Sequence, residues 1–209
     1  MAKLIGVVLA GGKSARMGGG DKCLSLLAGK TLLARAIARA RAQVDELVLN
    51  ANGDPARFHG IDLTVIADSI DGYAGPLAGI LAALEWARTE RPNCSHVISI
   101  ASDTPFFPAD LAARLMRAAE EQNKPLACAA SGGRAHPVFG LWPVALADDL
   151  RHAMIQENMR TVDAWTARHG VALAEYPLAP YDPFFNINQP EDLAVAAQLA
   201  SIPDKEFEL

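Results

Sequence analysis

The sequence predicts an α/β fold: a three-layer sandwich in which a mostly parallel central sheet with a mixed edge lies between helices. Three observations lead there. Short β-branched runs alternate with longer stretches of helical periodicity, the pattern of repeated strand–helix–strand units. The first run, Leu4-Ile-Gly-Val-Val-Leu-Ala10, is apolar almost throughout, as in a strand covered on both faces. Two later strands are joined by a tight Ser131-Gly132-Gly133 turn, which reverses the chain and makes the sheet mixed there.

In chain order, residues 4–10 form the first strand. Leu33, Ile37, Ala40 and Val44 follow at helical spacing, with Arg35, Arg39 and Arg41 on other faces. Residues 46–50 and 63–67 are the next two strands, and residues 76–88 form a helix that turns Leu77, Ile80, Leu81 and Leu84 inward. Residues 96–101 are the fourth strand. Pro108 opens a helix running through Glu121, since proline suits a first helical turn. Residues 126–130 and 136–142 are the two strands of the tight turn. A helical stretch over 144–168 carries a break near Met159-Arg160-Thr161, and residues 171–176 are the last strand. Asn188 suits the cap of a final helix, with Pro190 near its start and Glu191 three residues on. Residues 1–200 are expected to form a single domain and residues 201–209 a C-terminal tail.

The chain has 209 residues, 51% of them hydrophobic, which suits one domain with a sizeable core. Its net charge of −5, from 19 basic and 24 acidic residues, argues against a nucleic-acid or membrane-surface protein. A local basic site for an anionic ligand stays open. Cys23, Cys94 and Cys128 are widely spaced and include no Cys-x-x-Cys pair, which points to reduced structural thiols, not disulfides or zinc. The apolar run at the start is too short to span a bilayer and leads into glycines, not a signal-peptidase site. A cytoplasmic location is therefore expected.

In open parallel sheets the ligand sits beyond the carboxyl ends of the strands. Chemistry is thus sought in the loops after Ala10, Asn50, Ala67 and Ala101. The first loop reads Leu9-Ala-Gly-Gly-Lys-Ser-Ala-Arg-Met-Gly-Gly-Gly-Asp-Lys22. Glycines 11, 12, 18, 19 and 20 let the backbone approach a ligand closely. Lys13, Arg16 and Lys22 add cationic donors, so the loop can cradle a triphosphate. It is neither a Walker A loop nor Gly-x-Gly-x-x-Gly, and strand two ends in Asn50, not in an acidic ribose ligand. A plain glycine-rich surface loop is the alternative, and three cations directly after a buried-type strand weigh against it.

Leu9-Ala-Gly-Gly-x-Ser-x-Arg-Met-Gly, followed by Asp21-Lys22, resembles the signature of sugar-phosphate-type nucleotidyltransferases. Within them it is most similar to the molybdenum cofactor guanylyltransferase family. The resemblance runs from Leu4 to about Leu193 and implies a Rossmann-like fold of the nucleotide-diphospho-sugar transferase type. It also implies that the backbone of Leu9, Ala10, Gly11 and Gly12 wraps the nucleotide while Arg16 and Lys22 hold its phosphates. Cys23 stands where the family often has glycine, a change expected to be neutral.

The other loops agree. Asn50 matches a nucleotide-binding position, and an amide both donates and accepts, which suits a base or ribose; an ordinary turn there is equally compatible. By the resemblance Asp68 contacts the nucleotide, and Gly75-Pro-Leu-Ala-Gly79 lies against the guanine, with Gly79 leaving room for a flat base. Asp103 follows strand four, too far from Pro108 for a direct cap. Its hard oxygens suit Mg²⁺, which binds through one or two carboxylates plus substrate phosphates, and the family match assigns Asp103 that role. Phe185-Asn186-Ile-Asn188-Gln-Pro-Glu-Asp-Leu193 resembles the family's carboxy-terminal motif. If residues 186–188 are extended, both asparagines point to one side, near Asp103, to hold Mg²⁺ or the acceptor phosphate. His136 faces the acceptor by a family His-Pro match, or merely starts a strand.

The resemblance implies transfer of GMP from GTP to the phosphate of molybdopterin or its molybdenum-loaded form, with Arg16, Lys22, Asp103 and Asn188 as the catalytic set. Recipient molybdoenzymes and other cofactor-biosynthesis proteins are the implied transient partners. A cytidylyl relative, a transferase for cobinamide or sugar phosphates, and a silent nucleotide or pterin carrier are the rival readings. The retained Lys22, Asp103 and Asn188 weigh against the carrier.

Overall fold

The computed structural model describes residues 3–11, 21–72 and 75–201. Gly12, Lys13, Arg16, Gly18, Gly19 and Gly20, singled out above, lie outside the described residues. Seven strands form the central sheet: β1 (Lys3–Leu9), β4 (Glu46–Asn50), β5 (Thr64–Ile66), β6 (Cys94–Ala101), β7 (Leu126–Ser131), β8 (Arg134–Pro143) and β9 (Val171–Tyr176). A short antiparallel ribbon, β2 (Leu26–Leu27) with β3 (Lys30–Thr31), stands apart from it. The sheet order is β5-β4-β1-β6-β8-β7-β9. Pairs β5–β4, β4–β1, β1–β6 and β7–β9 are parallel, while β8 runs against both β6 and β7. The sheet is therefore mostly parallel with a mixed part, as the sequence predicts. The reversed strand is inside the sheet, not at its border, because the β7–β8 hairpin docks by its second strand onto β6.

The hairpin turn is built on Gly132 (φ 55°) and Gly133 (φ 76°), a positive-φ pair whose twist matches the strands it joins. The β7–β8 ladder then breaks: Cys128 faces Gly140, but the next residue, Ala129, faces His136. Pro137 lies in the stretch left unmatched, and proline has no N–H to give a ladder.

Alternation along the strands sorts the core into two layers. Val8, Leu49 and Ile98 face the layer of α1 (Leu32–Arg41) and α3 (Leu111–Glu121), against Leu33, Ala36, Leu111 and Leu115. Val7, Val48 and Val97 face the layer of α2 (Pro76–Glu90), α4 (Ala147–Gln156) and α5 (Val162–His169), against Leu77, Ile80, Leu84, Leu150 and Trp165. A third cluster of Leu27, Leu32, Phe106, Ile187 and Ala196 seats α6 (Pro190–Leu199) near the β2–β3 ribbon. The expected break in the helical stretch falls between α4 and α5, where Thr161 caps α5 by accepting from Ala164 N at 3.4 Å.

Two helix starts differ from expectation. α3 begins at Leu111, not Pro108, since residues 102–110 form the loop that leaves β6. The cap of α6 is Gln189, not Asn188, and the acidic residue of its box is Asp192, not Glu191. The Asp192 carboxylate accepts from the backbone N–H of Asn188 at 2.7 Å and of Gln189 at 3.0 Å. This leaves the Asn188 side chain for other work. Among the described residues, no helix is long and apolar enough to cross a membrane.

Candidate active site

The loops leaving β1, β4, β5 and β6 share one end of the sheet, and their first residues continue the ladders. Ala10 N donates to Asn50 O at 2.9 Å, Ser102 N to Leu9 O at 3.2 Å and Ala51 N to Ile66 O at 3.0 Å. These bonds fix where each loop starts. Asp103 follows directly, with its backbone held by Ile187 N, which donates to Asp103 O at 3.0 Å. That bond fastens the 186–188 segment beside the end of β6.

The result is a cradle of oxygens around one cation. Lys22 Nζ lies 2.6 Å from Asp103 Oδ2, 2.7 Å from Asn188 Oδ1 and 3.3 Å from Asn186 Oδ1. Both asparagines point to the same side, as an extended 186–188 segment requires. The Lys22 and Asp103 side chains are only 13% and 24% exposed, so water screens the pair poorly. Thr104 Oγ1 donates to the other carboxylate oxygen at 3.3 Å. Three distant parts of the chain thus converge, and Asp103, Asn186 and Asn188 each turn an oxygen to the ammonium in the middle.

The nucleotide side is arranged differently from expectation at Gly79. A Cβ there would lie 2.3 Å from Asn50 Oδ1 and 2.8 Å from Leu9 Cδ2. The space that Gly79 leaves is filled by Asn50 and Leu9, not kept for a flat base. Asn50 is itself buried and gives its amide to Asp68 Oδ1 at 2.9 Å and Ile66 O at 3.3 Å. Its visible task is to hold Asp68, whose second oxygen takes a bond from Asn52 Nδ2 at 2.7 Å. Gly75 stands at the mouth of this region with φ 143°, a backbone state that side chains resist. Arg160 O comes within 3.8 Å of where its Cβ would be. Gly79→Ala is expected to destabilise the fold by about 1–3 kcal/mol through overpacking. Gly11→Ala is the control, because a Cβ at Gly11 meets no described atom within 4 Å. Urea unfolding of both variants checks this, and equal stability would contradict it.

Sequence reasoning missed Arg57. Arg57 pairs with Asp21 at 2.8 Å and donates to Asn52 O, tying the end of the first loop to the Asp68 cluster. No local pattern marks Arg57; only its position after the Asn52-Gly53 turn places it there. His136, named from the sequence, is stacked on Phe184 at 4.5 Å and bonded to Ser131 Oγ at 2.7 Å. Cys23, beside Lys22, is buried, and burial with the nearby Asp21 charge raises its thiol pKa to about 11. It stays protonated at neutral pH and is not a nucleophile. Cys94 and Cys128 are likewise buried free thiols, as expected.

A metal is implied by the resemblance, and the donor set can be tested for fit. One carboxylate and two amide carbonyls are hard oxygen donors that already surround a positive charge. Among the described residues no three His, Cys, Asp or Glu side chains gather. A closed protein cage for a soft metal is therefore not what these residues build. A hard divalent cation that keeps waters and takes ligands from substrate phosphates fits them well.

An oxygen ring around a lysine, at the carboxyl ends of parallel strands, fits one class of protein: a nucleotidyltransferase. Residues 6–171 match the MobA-like NTP transferase domain. The molybdenum cofactor guanylyltransferase of Bradyrhizobium sp. (strain ORS 278) is 54% identical over 201 residues, covering 96% of this chain and 95% of the relative. The chain belongs to the molybdenum cofactor guanylyltransferase family. Solved structures share its fold. Molybdopterin-guanine dinucleotide biosynthesis protein A from Archaeoglobus fulgidus is 24% identical with TM-score 0.71, covering 94% of this chain and 98% of that one. A Mycobacterium tuberculosis H37Rv protein solved in complex with manganese is 16% identical with TM-score 0.67, covering 94% and 98%.

Proposed function

We propose that this protein transfers GMP from GTP to the phosphate of molybdopterin or its molybdenum-loaded form, releasing pyrophosphate and a guanine dinucleotide cofactor. The observation that carries the proposal is the ring of Asp103, Asn186 and Asn188 oxygens around the Lys22 ammonium. The backbone of Leu9, Ala10, Gly11 and Gly12 wraps the nucleotide. Asp68, held by Asn50 and Asn52, contacts it, and the segment from Gly75 to Gly79 borders the base. Arg16 and Lys22 hold the phosphates, and His136, Asn186 and Asn188 serve the acceptor. Residues 1–200 act as one nucleotidyltransferase domain, in the cytoplasm, and deliver product to recipient molybdoenzymes.

In the reaction one acceptor phosphate oxygen forms a bond to the α-phosphorus as the bond to the bridging oxygen breaks. Pyrophosphate leaves with that electron pair. The acceptor is already ionised, so no general base is needed. The obstacle is that two anions must meet, which makes positioning and charge neutralisation the main tasks. Lys22, paired with Asp103 in the free protein, would turn to the incoming phosphates, and Asp103 with the asparagine oxygens would hold Mg²⁺. When bound there, Mg²⁺ supplies a second positive charge beside the reacting phosphates.

A thermal shift series with GTP, CTP, ATP and UTP, each with and without Mg²⁺, tests the donor. GTP at 100 times its dissociation constant is expected to stabilise the fold by about 2.7 kcal/mol. A shift selective for CTP would transfer the protein to cytidylyl chemistry, and no shift with any nucleotide would overturn the donor site. Pyrophosphate release from GTP on adding molybdopterin tests the acceptor.

A further inference from the structure

Beyond the cradle, Asp182, Ser131 and His136 form a chain of hydrogen bonds with one consistent direction. Ser131 ends β7 and is 3% exposed. Its hydroxyl donates to Asp182 Oδ1 at 2.9 Å and lies 2.7 Å from His136 Nε2. The same carboxylate oxygen accepts from Phe184 N at 3.0 Å, which fixes its direction. A hydroxyl has one proton, and here it goes to Asp182. The contact with His136 is therefore a hydrogen bond only if Nε2 carries the proton and donates. His136 Nδ1 is then left with its lone pair, and among the described residues it has no hydrogen-bond partner.

The order of the three residues excludes a nucleophilic triad. There the histidine stands between the serine and the acid and takes the hydroxyl proton. Here the serine stands in the middle, is buried and gives its proton to the acid. The arrangement instead orients a ring. Phe184 stacks on that ring at 4.5 Å and 23°. Phe184 precedes Asn186 by two residues, so their Cα atoms are at most about 7 Å apart. The ring is thus mechanically joined to the segment that carries Asn186 and Asn188.

We propose that Asp182 and Ser131 lock His136 as its Nε2–H tautomer, so that Nδ1 is offered as a hydrogen-bond acceptor to an N–H edge of the acceptor's heterocycle. This rests on the pterin acceptor of the preceding subsection and divides the work within it. A lone pair repels phosphate oxygens, so His136 reads the ring while Lys22 and the asparagines deal with the phosphate. Burial lowers the imidazole's affinity for a second proton, and Arg134 acts the same way; Asp182 and Glu175 oppose them and the net shift is downward. The ring is accordingly neutral at pH 7, as an acceptor must be. Asp182 and Ser131 are positioning residues in this scheme.

The test combines kinetics and spectroscopy on the full chain. Ser131→Ala and Asp182→Asn are expected to raise KM for molybdopterin about tenfold, the equivalent of about 1.4 kcal/mol. Saturated kcat and KM for GTP should each change less than about twofold. His136→Asn, whose Oδ1 falls roughly where Nδ1 was, should bind the pterin better than His136→Leu. Nitrogen-15 spectra at pH 7.5 should show the Nε2–H tautomer in the wild type and a tautomer mixture in Ser131→Ala. A GTP thermal shift retained by each variant certifies folding and an intact donor site. An Nδ1–H tautomer in the wild type, or unchanged pterin KM in both Ser131→Ala and Asp182→Asn, overturns the proposal while leaving guanylyl transfer intact. A wild-type protein that releases no pyrophosphate with molybdopterin overturns both.

Discussion

Asp103→Ala is expected to lower kcat by about a hundred- to a thousandfold, the range seen when one preorganised electrostatic group is removed from a charged transition state. The fold should survive the change. Asp103 is held by its backbone, through Ile187 N at 3.0 Å, and alanine keeps that bond. Lys22 keeps Asn188 at 2.7 Å and Asn186 at 3.3 Å. What disappears is, among the described residues, the one carboxylate bonded to Lys22, and with it the ligand proposed to draw a divalent cation toward the phosphates. The stability cost should be about 1.5–3 kcal/mol, the range for a hydrogen bond to a charged partner. Asp103→Asn separates charge from shape: it retains a carbonyl oxygen and should still lose most of the turnover. The assay is pyrophosphate release at saturating GTP and acceptor, with Mg²⁺ titrated from limiting to excess. Near-normal turnover of Asp103→Ala at limiting Mg²⁺ would remove Asp103 from the reaction.

Much of this centre was legible through the family resemblance, which marks Lys22, Asp103, Asn186 and Asn188. Physical chemistry adds that an acid two residues past a buried strand suits a hard cation, and that asparagines two positions apart on an extended segment share one side. The two-layer core was legible for a similar local reason. Alternation along β1, β4 and β6 decides which face each residue takes, whatever the strand's neighbours. Other features depend on distant partners and leave no local trace. The hairpin of β7 and β8 could be read from Gly132-Gly133, yet nothing in those residues says that β8 will pair with β6. Arg57 reaches Asp21 across 36 residues. Gly79 reads equally well as room for a base or room for a side chain, and only the fold brings Asn50 against it. The cap of α6 shows a competition: Asn188 is the better capping residue by type, but its Oδ1 is taken by Lys22 and Gln189 is left at the cap. A site residue there overrides a local preference.

The second large effect is expected at Lys22. Lys22→Met should lower kcat/KM for GTP by about a hundredfold or more, since phosphate charge in a poorly hydrated site would meet one cation fewer. Two explanations of such a loss must be separated. If Lys22 were only a structural tie between the first loop and the 186–188 segment, Lys22→Met would lose stability in step with activity, and Lys22→Arg would restore both. If its ammonium serves the triphosphate, Lys22→Arg restores stability but little turnover, because a planar fork does not replace a compact point charge. The protein without nucleotide offers a further check. In the wild type the ammonium occupies the space between Asp103 and the two asparagine oxygens, so it competes with any other cation for them. Lys22→Met leaves those oxygens converging on nothing positive. Mg²⁺ alone should then raise the melting temperature of Lys22→Met by more than it raises that of the wild type. The opposite ranking would mean that the cradle is built for lysine itself, and that the divalent cation binds through the nucleotide's phosphates without the help of these oxygens.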